Sequence, residues 1–90
     1  MAAYSIGLKT SAAKEIDGLP TKLDRQRVVA RIQALSANPR PHGSEKLAGG
    51  PDRNRVRQSR YRIIYFIHDK ELRVEVVRVA HRKEAYRSAT

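Results

Sequence analysis

The stretch NRVRQSRYRIIYFIHDKELRVEVVRV, residues 54 to 79, contains three extended apolar runs and predicts three β-strands. The runs cover residues 54 to 58, 61 to 68 and 72 to 79, and two or three residues connect each run to the next. Connections this short leave no room for a crossover helix, so neighbouring strands must pair antiparallel. The middle run is largely apolar on both faces, which is typical of a central strand. The stretch therefore predicts a three-stranded meander.

A further strand and two helices are predicted before the meander. Residues 4 to 8 alternate apolar with small or polar side chains, as a half-buried strand does. Thr10 or Ser11 is expected to cap a short helix that runs to Asp17. Thr21 is expected to cap a second helix.

The second helix has one apolar face, which needs a sheet to cover it. Asn38-Pro39 is expected to end this helix, because proline disfavours helical backbone in the residue before it. In the loop from 40 to 51, which is rich in glycine and proline, Leu47 is expected to contact the core. The apolar face consists of Val28, Val29, Ile32 and Leu35.

The predicted fold class is α+β, in the order β-α-α-β-β-β. An N-terminal strand and a helical hairpin are expected to pack on one face of a small antiparallel sheet. The 90 residues are expected to form a single domain, residues 1 to 90.

Charge is concentrated in the strand-rich half of the chain. The sequence has 19 Lys and Arg residues against 9 Asp and Glu residues, a net charge of +10. Eleven of the basic residues and four of the acidic ones lie from position 53 onward, so this part alone carries +7. Guanidinium groups held on a rigid sheet suit a polyphosphate, because counterions released from it supply affinity independent of base sequence. The charge pattern therefore favours nucleic acid as a partner.

The composition excludes several other classes of protein. Without cysteine there is no disulfide framework and no thiolate chemistry. The three histidines, at positions 42, 68 and 81, are scattered and do not form a zinc-binding pattern, so neither a metal nor another cofactor is expected. No apolar run approaches the roughly 20 residues that cross a bilayer, and the N-terminus lacks the features of a signal peptide. A cytoplasmic protein with no membrane partner is expected.

Three arginines in the meander are candidates for phosphate binding. Arg55 and Arg57 share one face of the first strand, roughly 7 Å apart, while Val56 points to the other face. Arg62 lies at the start of the central strand.

Three motifs follow one another along the chain: Leu47-Ala48-Gly49, Tyr61-Arg62-Ile63-Ile64-Tyr65 and His81-Arg82-Lys83-Glu84-Ala85-Tyr86. Together with the order of the predicted elements, these motifs resemble the RelE toxins of the RelE/ParE superfamily over essentially the whole chain. The resemblance implies a cytoplasmic toxin of a type II toxin–antitoxin system, which enters the ribosomal A site and cuts the mRNA there. It also implies a co-expressed RelB-like antitoxin that holds the toxin inactive. The implied reaction is a metal-free transesterification, in which the ribose 2′-hydroxyl attacks the adjacent phosphate and leaves a cyclic phosphate and a 5′-hydroxyl.

The resemblance also implies roles for single residues. Arg55 and Arg57 match a basic pair that is lysine in RelE, and Arg62 matches the arginine of the Tyr-Arg motif. Arg82 matches the arginine after the last strand, and Tyr86 matches the tyrosine that stacks on a base of the codon. Fixed guanidinium groups would stabilise the charge that gathers on the phosphorane, and a phenol ring would hold an unstacked base.

The arginines at positions 55 and 57 leave the proton acceptor open, because a guanidinium stays protonated in proteins. His81 is the first candidate for proton transfer and His68 the second, since an unperturbed histidine pKa of about 6.5 suits acid–base chemistry near neutrality.

Two other functions use the same basic face. A ParE-like relative would share the fold and inhibit DNA gyrase without nuclease chemistry. A non-catalytic protein would bind RNA or DNA. The set of Arg62, His81, Arg82 and Tyr86 favours the nuclease, because a gyrase inhibitor has no need of a base-stacking tyrosine beside phosphate-binding arginines.

Overall fold

The computed structural model describes residues 3 to 50 and 52 to 81. Two helices pack against a five-stranded sheet whose strand order is β1-β5-β4-β3-β2. In chain order the elements are β1 Ser5–Leu8, α1 Thr10–Asp17, α2 Lys22–Ala34, β2 Glu45–Lys46, β3 Arg53–Gln58, β4 Tyr61–His68, a 3₁₀ turn Asp69–Glu71, and β5 Arg73–His81.

The α+β class and the meander are confirmed. Strands β3, β4 and β5 pair antiparallel in sequence order, with β4 in the middle. The first strand differs from the prediction, because β1 does not pack on a face of the sheet. It joins the edge, parallel to β5, with Ser5 opposite Arg73 and Leu8 opposite Val76. The sheet is therefore mixed, and the backbone groups on this edge of β5 gain hydrogen-bond partners.

The helices begin and end close to the predicted positions. The Thr21 cap is confirmed, because its Oγ1 accepts a hydrogen bond from the Asp24 backbone N–H at 3.0 Å. The cap predicted for α1 is wrong: Lys9 occupies that position and its side chain makes no capping hydrogen bond. α2 ends at Ala34, before Asn38-Pro39. No helix in the described part of the chain has the length and apolar character needed to cross a membrane.

One face of the sheet, here called the helix face, forms the main core. Val28, Ile32 and Leu35 of the second helical segment are buried there, as predicted. The prediction for Val29 is wrong, because this side chain is 37% exposed and lies outside the buried face. Helical geometry explains the difference, because Val29 lies about 100° around the helix from Val28. The sheet contributes Val56, Tyr61, Ile63, Tyr65, Ile67, Val74, Val76 and Val79 to this core.

The opposite face, here called the open face, has a smaller apolar cluster. Ile64 and Ala80 are buried in it, and Leu47 and Val77 pack against them. Leu47 therefore contacts this second cluster, and its backbone N–H donates to the Arg53 carbonyl at 2.7 Å. The loop before β3 is thus held against the sheet.

A β-bulge interrupts the pairing of β4 with β5. Ile64 lies opposite Arg78 and Tyr65 lies opposite Val76, so Val77 has no partner on β4. The extra residue changes the phase of the strand. Val74 and Val76 face the core before the bulge, and Val79 faces it afterwards.

Candidate nucleic-acid interface

Arg57 and Arg62 lie side by side on the open face. They are directly opposite each other in the β3–β4 pairing. Their neighbours Val56 and Ile63 are fully buried in the main core, which turns both arginines toward the open face. Side chains opposite each other on paired strands have Cβ atoms about 4.5–5.5 Å apart. Strands β3 and β4 therefore hold two positive charges next to each other on the open face.

Two like charges in this arrangement repel each other and destabilise the sheet locally. The Arg57 side chain is exposed, and no carboxylate of residues 3–50 and 52–81 forms an ion pair with it. Arg62 is half-buried, and its Nη1 donates to the Tyr61 carbonyl at 3.3 Å. Phosphate oxygens accept hydrogen bonds from guanidinium groups and carry the opposite charge. The pair is thus suited to bind a phosphate.

Arg55 shares the open face but lies in a different environment. It is only 6% exposed. Its Nη2 forms a salt bridge with the Glu45 carboxylate, across the short β2–β3 pairing. The charge of Arg55 is therefore balanced within the protein, and the side chain holds β2 against β3.

His81 lies on the other face of the sheet. Its ring meets the Tyr61 ring edge to face, with the centroids 6.3 Å apart and the planes at 88°. The Tyr61 hydroxyl donates to Asp24 of α2 at 3.0 Å, which identifies this side as the helix face. The bulge is the cause, since it shifts the alternation of β5 by one residue. The structure does not bring His81 together with Arg57 and Arg62.

His68, the second histidine candidate, lies at the far end of β4. It is exposed, and it lies opposite Arg73 in the β4–β5 strand pairing. It is six positions along β4 from Arg62, which corresponds to about 20 Å. Arg82 and Tyr86, the remaining predicted site residues, lie outside the described residues.

A cluster that sequence reasoning missed joins four segments that are distant in sequence. Arg40 forms salt bridges with Asp52 at 3.2 Å and Asp69 at 2.9 Å. Asp69 also accepts a hydrogen bond from the Tyr4 hydroxyl at 2.6 Å. The hydrogen bonds from Arg40 and then Tyr4 lower the pKa of Asp69 to about 2. The same contact with Asp69 is the main reason why the pKa values of Arg40 and Tyr4 are raised.

The cluster lies beside a cavity that does not suit a polyphosphate. The cavity has a volume of about 690 Å³ and lies at the end of β4 that is remote from Arg62. Four of its eight lining residues are acidic: Asp52, Asp69, Glu71 and Glu75. The described residues contain no group of three or more His, Cys, Asp or Glu side chains that could hold a metal ion.

Comparison with known proteins identifies relatives over most of the chain. Residues 6–86 match the model of a family described as the ParE toxin of type II toxin–antitoxin systems. A curated relative, Toxin RelE from Mycobacterium tuberculosis, is 29% identical over 84 residues, which is 93% of this chain and 87% of the relative.

Solved structures of toxin–antitoxin complexes have the same fold. The RelE–RelB complex from Pyrococcus horikoshii matches with a TM-score of 0.79 and 25% identity, over 92% of this chain and 99% of that one. The intact RelBE complex of E. coli matches with a TM-score of 0.74 and 28% identity, over 88% and 96%. With a family match over residues 6–86 and these structural likenesses, the chain belongs to the ParE toxin family and is a type II toxin of the RelE/ParE superfamily.

Proposed function

We propose that this toxin cuts mRNA in the ribosomal A site, by attack of a ribose 2′-hydroxyl on the adjacent phosphate. The observation that carries the proposal is the cross-strand pair of Arg57 and Arg62, fixed on the open face by two buried neighbours. The likeness to Toxin RelE supports the choice of reaction.

The arginine pair suits the charge that develops in this reaction. Attack of the 2′-hydroxyl produces a pentacoordinate phosphorane with extra negative charge on its non-bridging oxygens. Guanidinium groups that are already in place stabilise this charge without reorganisation, and removal of one such donor commonly costs about 10²- to 10³-fold in rate. Arg62 is the better placed of the two, because it is half-buried and its charge is less screened by water.

The arginines do not accept the proton of the 2′-hydroxyl, since guanidinium remains protonated. His81 lies on the helix face and His68 lies far along β4, so neither belongs to the proposed phosphate site. We propose that Arg82 and Tyr86 complete the site, as the resemblance to RelE implies. Arg82 would share the phosphate charge, and Tyr86 would stack on a base, which is worth about 1–3 kcal/mol.

A RelB-like antitoxin is the proposed partner that silences the toxin. The relatives from Pyrococcus horikoshii and E. coli were solved as complexes with RelB. A net charge of +10 favours an acidic or amphipathic antitoxin segment over a basic one. We place the reaction in the cytoplasm, where ribosomes carry mRNA, and assign it to one domain formed by residues 1 to 90.

Gyrase inhibition is the second candidate, because the matching family model is that of a ParE toxin. This function needs a binding surface but no phosphate site. The two candidates therefore differ in what Arg57 and Arg62 do.

Cleavage on programmed ribosomes tests the proposal. Purified toxin is added to ribosomes with a defined codon in the A site, and the 5′ ends of the mRNA are mapped. The wild type should cut within that codon, and R57A/R62A should lower kcat/KM by at least about 10²-fold. R27A is the matched control, because Arg27 is an exposed arginine of α2 and its loss should change the rate less than about 2-fold.

Two results would contradict the proposal. One is a wild-type protein that leaves the mRNA intact and inhibits DNA supercoiling by gyrase, which would establish the second candidate. The other is cleavage by R57A/R62A at the wild-type rate, which would place the reaction centre elsewhere.

A further inference from the structure

Strand β1 is too short to cover the whole edge of β5. Its last pair joins Leu8 to Val76, and the Lys9 backbone N–H makes a final hydrogen bond to the Val76 carbonyl at 2.9 Å. The chain then turns into α1 at Thr10. Among residues 3–50 and 52–81, the end of β5 beyond Val76 therefore has no neighbouring strand on this side, and its backbone groups need another partner.

Glu15 of α1 supplies that partner. One carboxylate oxygen, Oε1, accepts a hydrogen bond from the Val79 backbone N–H at 2.8 Å. The other oxygen, Oε2, lies 3.5 Å from Nη1 of Arg78. Both side chains of this ion pair are about a quarter exposed, so the contact is partly shielded from water. One side chain thus contacts two successive residues directly after the bulge.

These contacts come at the point where β5 changes phase. The bulge leaves Val77 without a partner on β4, and a bulged strand bends and loses regular ladder hydrogen bonds. The Tyr61–Asp24 hydrogen bond and the Tyr61–His81 ring contact hold the β4 side of the same segment. Glu15 holds the opposite side. Residues 78 to 81 are therefore held by α1 on one side and by β4 on the other.

We propose that Glu15 is a positioning residue for catalysis. It fixes residues 78–81, and Ala80 of this segment lies directly opposite Arg62, a member of the proposed phosphate site, in the β4–β5 pairing. The inference rests on the proposed function, because it assigns Glu15 a role in that reaction. The physical basis is geometric, since a misplacement of about 1 Å far from the reacting atoms lowers a rate about 10²-fold.

Two substitutions separate the contacts of Glu15. E15A removes both of them and should lower kcat on programmed ribosomes about 10- to 100-fold, with KM changed less than about 3-fold because both arginines of the proposed phosphate site are retained. E15Q keeps a carbonyl oxygen for the Val79 N–H and loses only the charge facing Arg78. The kcat of E15Q should stay within about 3-fold of the wild type, because the Val79 hydrogen bond is retained and a 3.5 Å ion pair between partly exposed side chains contributes little.

E75A is the matched control. Glu75 also lies on β5 and pairs with an arginine, Arg73, at 3.7 Å, but it is distant from residues 78–81. The kcat of E75A should stay within about 2-fold of the wild type. Amide hydrogen exchange gives a readout that does not depend on activity: the Val79 amide should exchange faster in E15A than in the wild type and E15Q.

Each outcome decides a separate question. If the wild type cuts and a folded E15A cuts with an unchanged kcat, the positioning role is overturned, even if E15A melts at a lower temperature. If the wild type does not cut, the proposed function is overturned and the positioning role is overturned with it. If E15A does not fold, E15M replaces it, since methionine keeps the side-chain length and lacks both oxygens.

Discussion

Arg40 and Arg57 are the same side chain in two opposite electrostatic settings. Arg40 lies between two carboxylates, Asp52 and Asp69, and joins segments that are distant in sequence. Arg57 lies opposite another arginine, Arg62, and no carboxylate in the described ranges pairs with it. The first arrangement satisfies a charge within the fold, and the second leaves Arg57 without a carboxylate partner among the described residues. The difference indicates that carboxylates within reach, more than the arginine itself, separate a structural role from a binding role.

Reversing the charge at position 57 should give the largest effect and would make the two settings alike. R57E places a carboxylate opposite Arg62, where a cross-strand ion pair should stabilise the fold by about 0.2–1 kcal/mol. The same change should lower kcat/KM for mRNA cleavage by more than about 10²-fold, because the proposed phosphate site loses one positive charge and gains a negative one. Urea unfolding and cleavage on programmed ribosomes measure the two effects. A variant that is both less stable and fully active would contradict the assignment of Arg57 to binding.

Truncation of Arg55 and Arg57 should separate two arginines that the sequence presents as a pair. R55A removes a buried side chain and its salt bridge with Glu45, and should lower the free energy of unfolding by about 1–2 kcal/mol. R57A removes an exposed side chain that faces a like charge, and should change the free energy of unfolding by less than about 0.5 kcal/mol. Urea unfolding of the two variants at one pH and ionic strength provides the comparison. Equal losses would show that burial does not distinguish the two residues.

The smallest expected effect concerns the cluster around Arg40. Because the pKa of Asp69 is lowered to about 2 from 3.8, its contribution to stability is present above pH 3.8 and is lost as the pH falls through about 2. D69N should lower the Tm by a few degrees at neutral pH, and it should remove part of the loss of stability between pH 4 and pH 2. Thermal melts of both proteins across this pH range test the prediction. Parallel pH profiles for the two proteins would exclude Asp69 as the source of the acid sensitivity.

Much of the fold follows from local pattern. In residues 54 to 58 and 61 to 68, successive side chains point to opposite faces of the sheet without interruption. The strand bounds and the open-face positions of Arg55, Arg57 and Arg62 were therefore predictable. The Thr21 cap was predictable because it depends on a side chain three residues from its target. The predictions that were wrong or missing concern features that depend on tertiary contacts. Alternation does not show which edge β1 joins or that Glu45 reaches Arg55.

The position of His81 shows most clearly what alternation in the sequence cannot predict. Regular alternation from Val74 and Val76 would place position 81 on the open face, and the bulge at Val77 places it on the helix face instead. One sequence signal exists, because the adjacent valines Val76 and Val77 break the alternation. A pair of apolar neighbours is too common in strands to identify a bulge without the structure.

The parallel pairing of β1 with β5 links residues 5–8 to residues 73–76, which belong to the first and last strands of the described residues. Contacts between such distant segments form slowly, because a long loop must close before they do. During synthesis, β1 has no partner until β5 has left the ribosome. The sheet of this toxin is therefore complete only after residues 73–76 have been synthesised, and the nascent chain has an incomplete sheet until then.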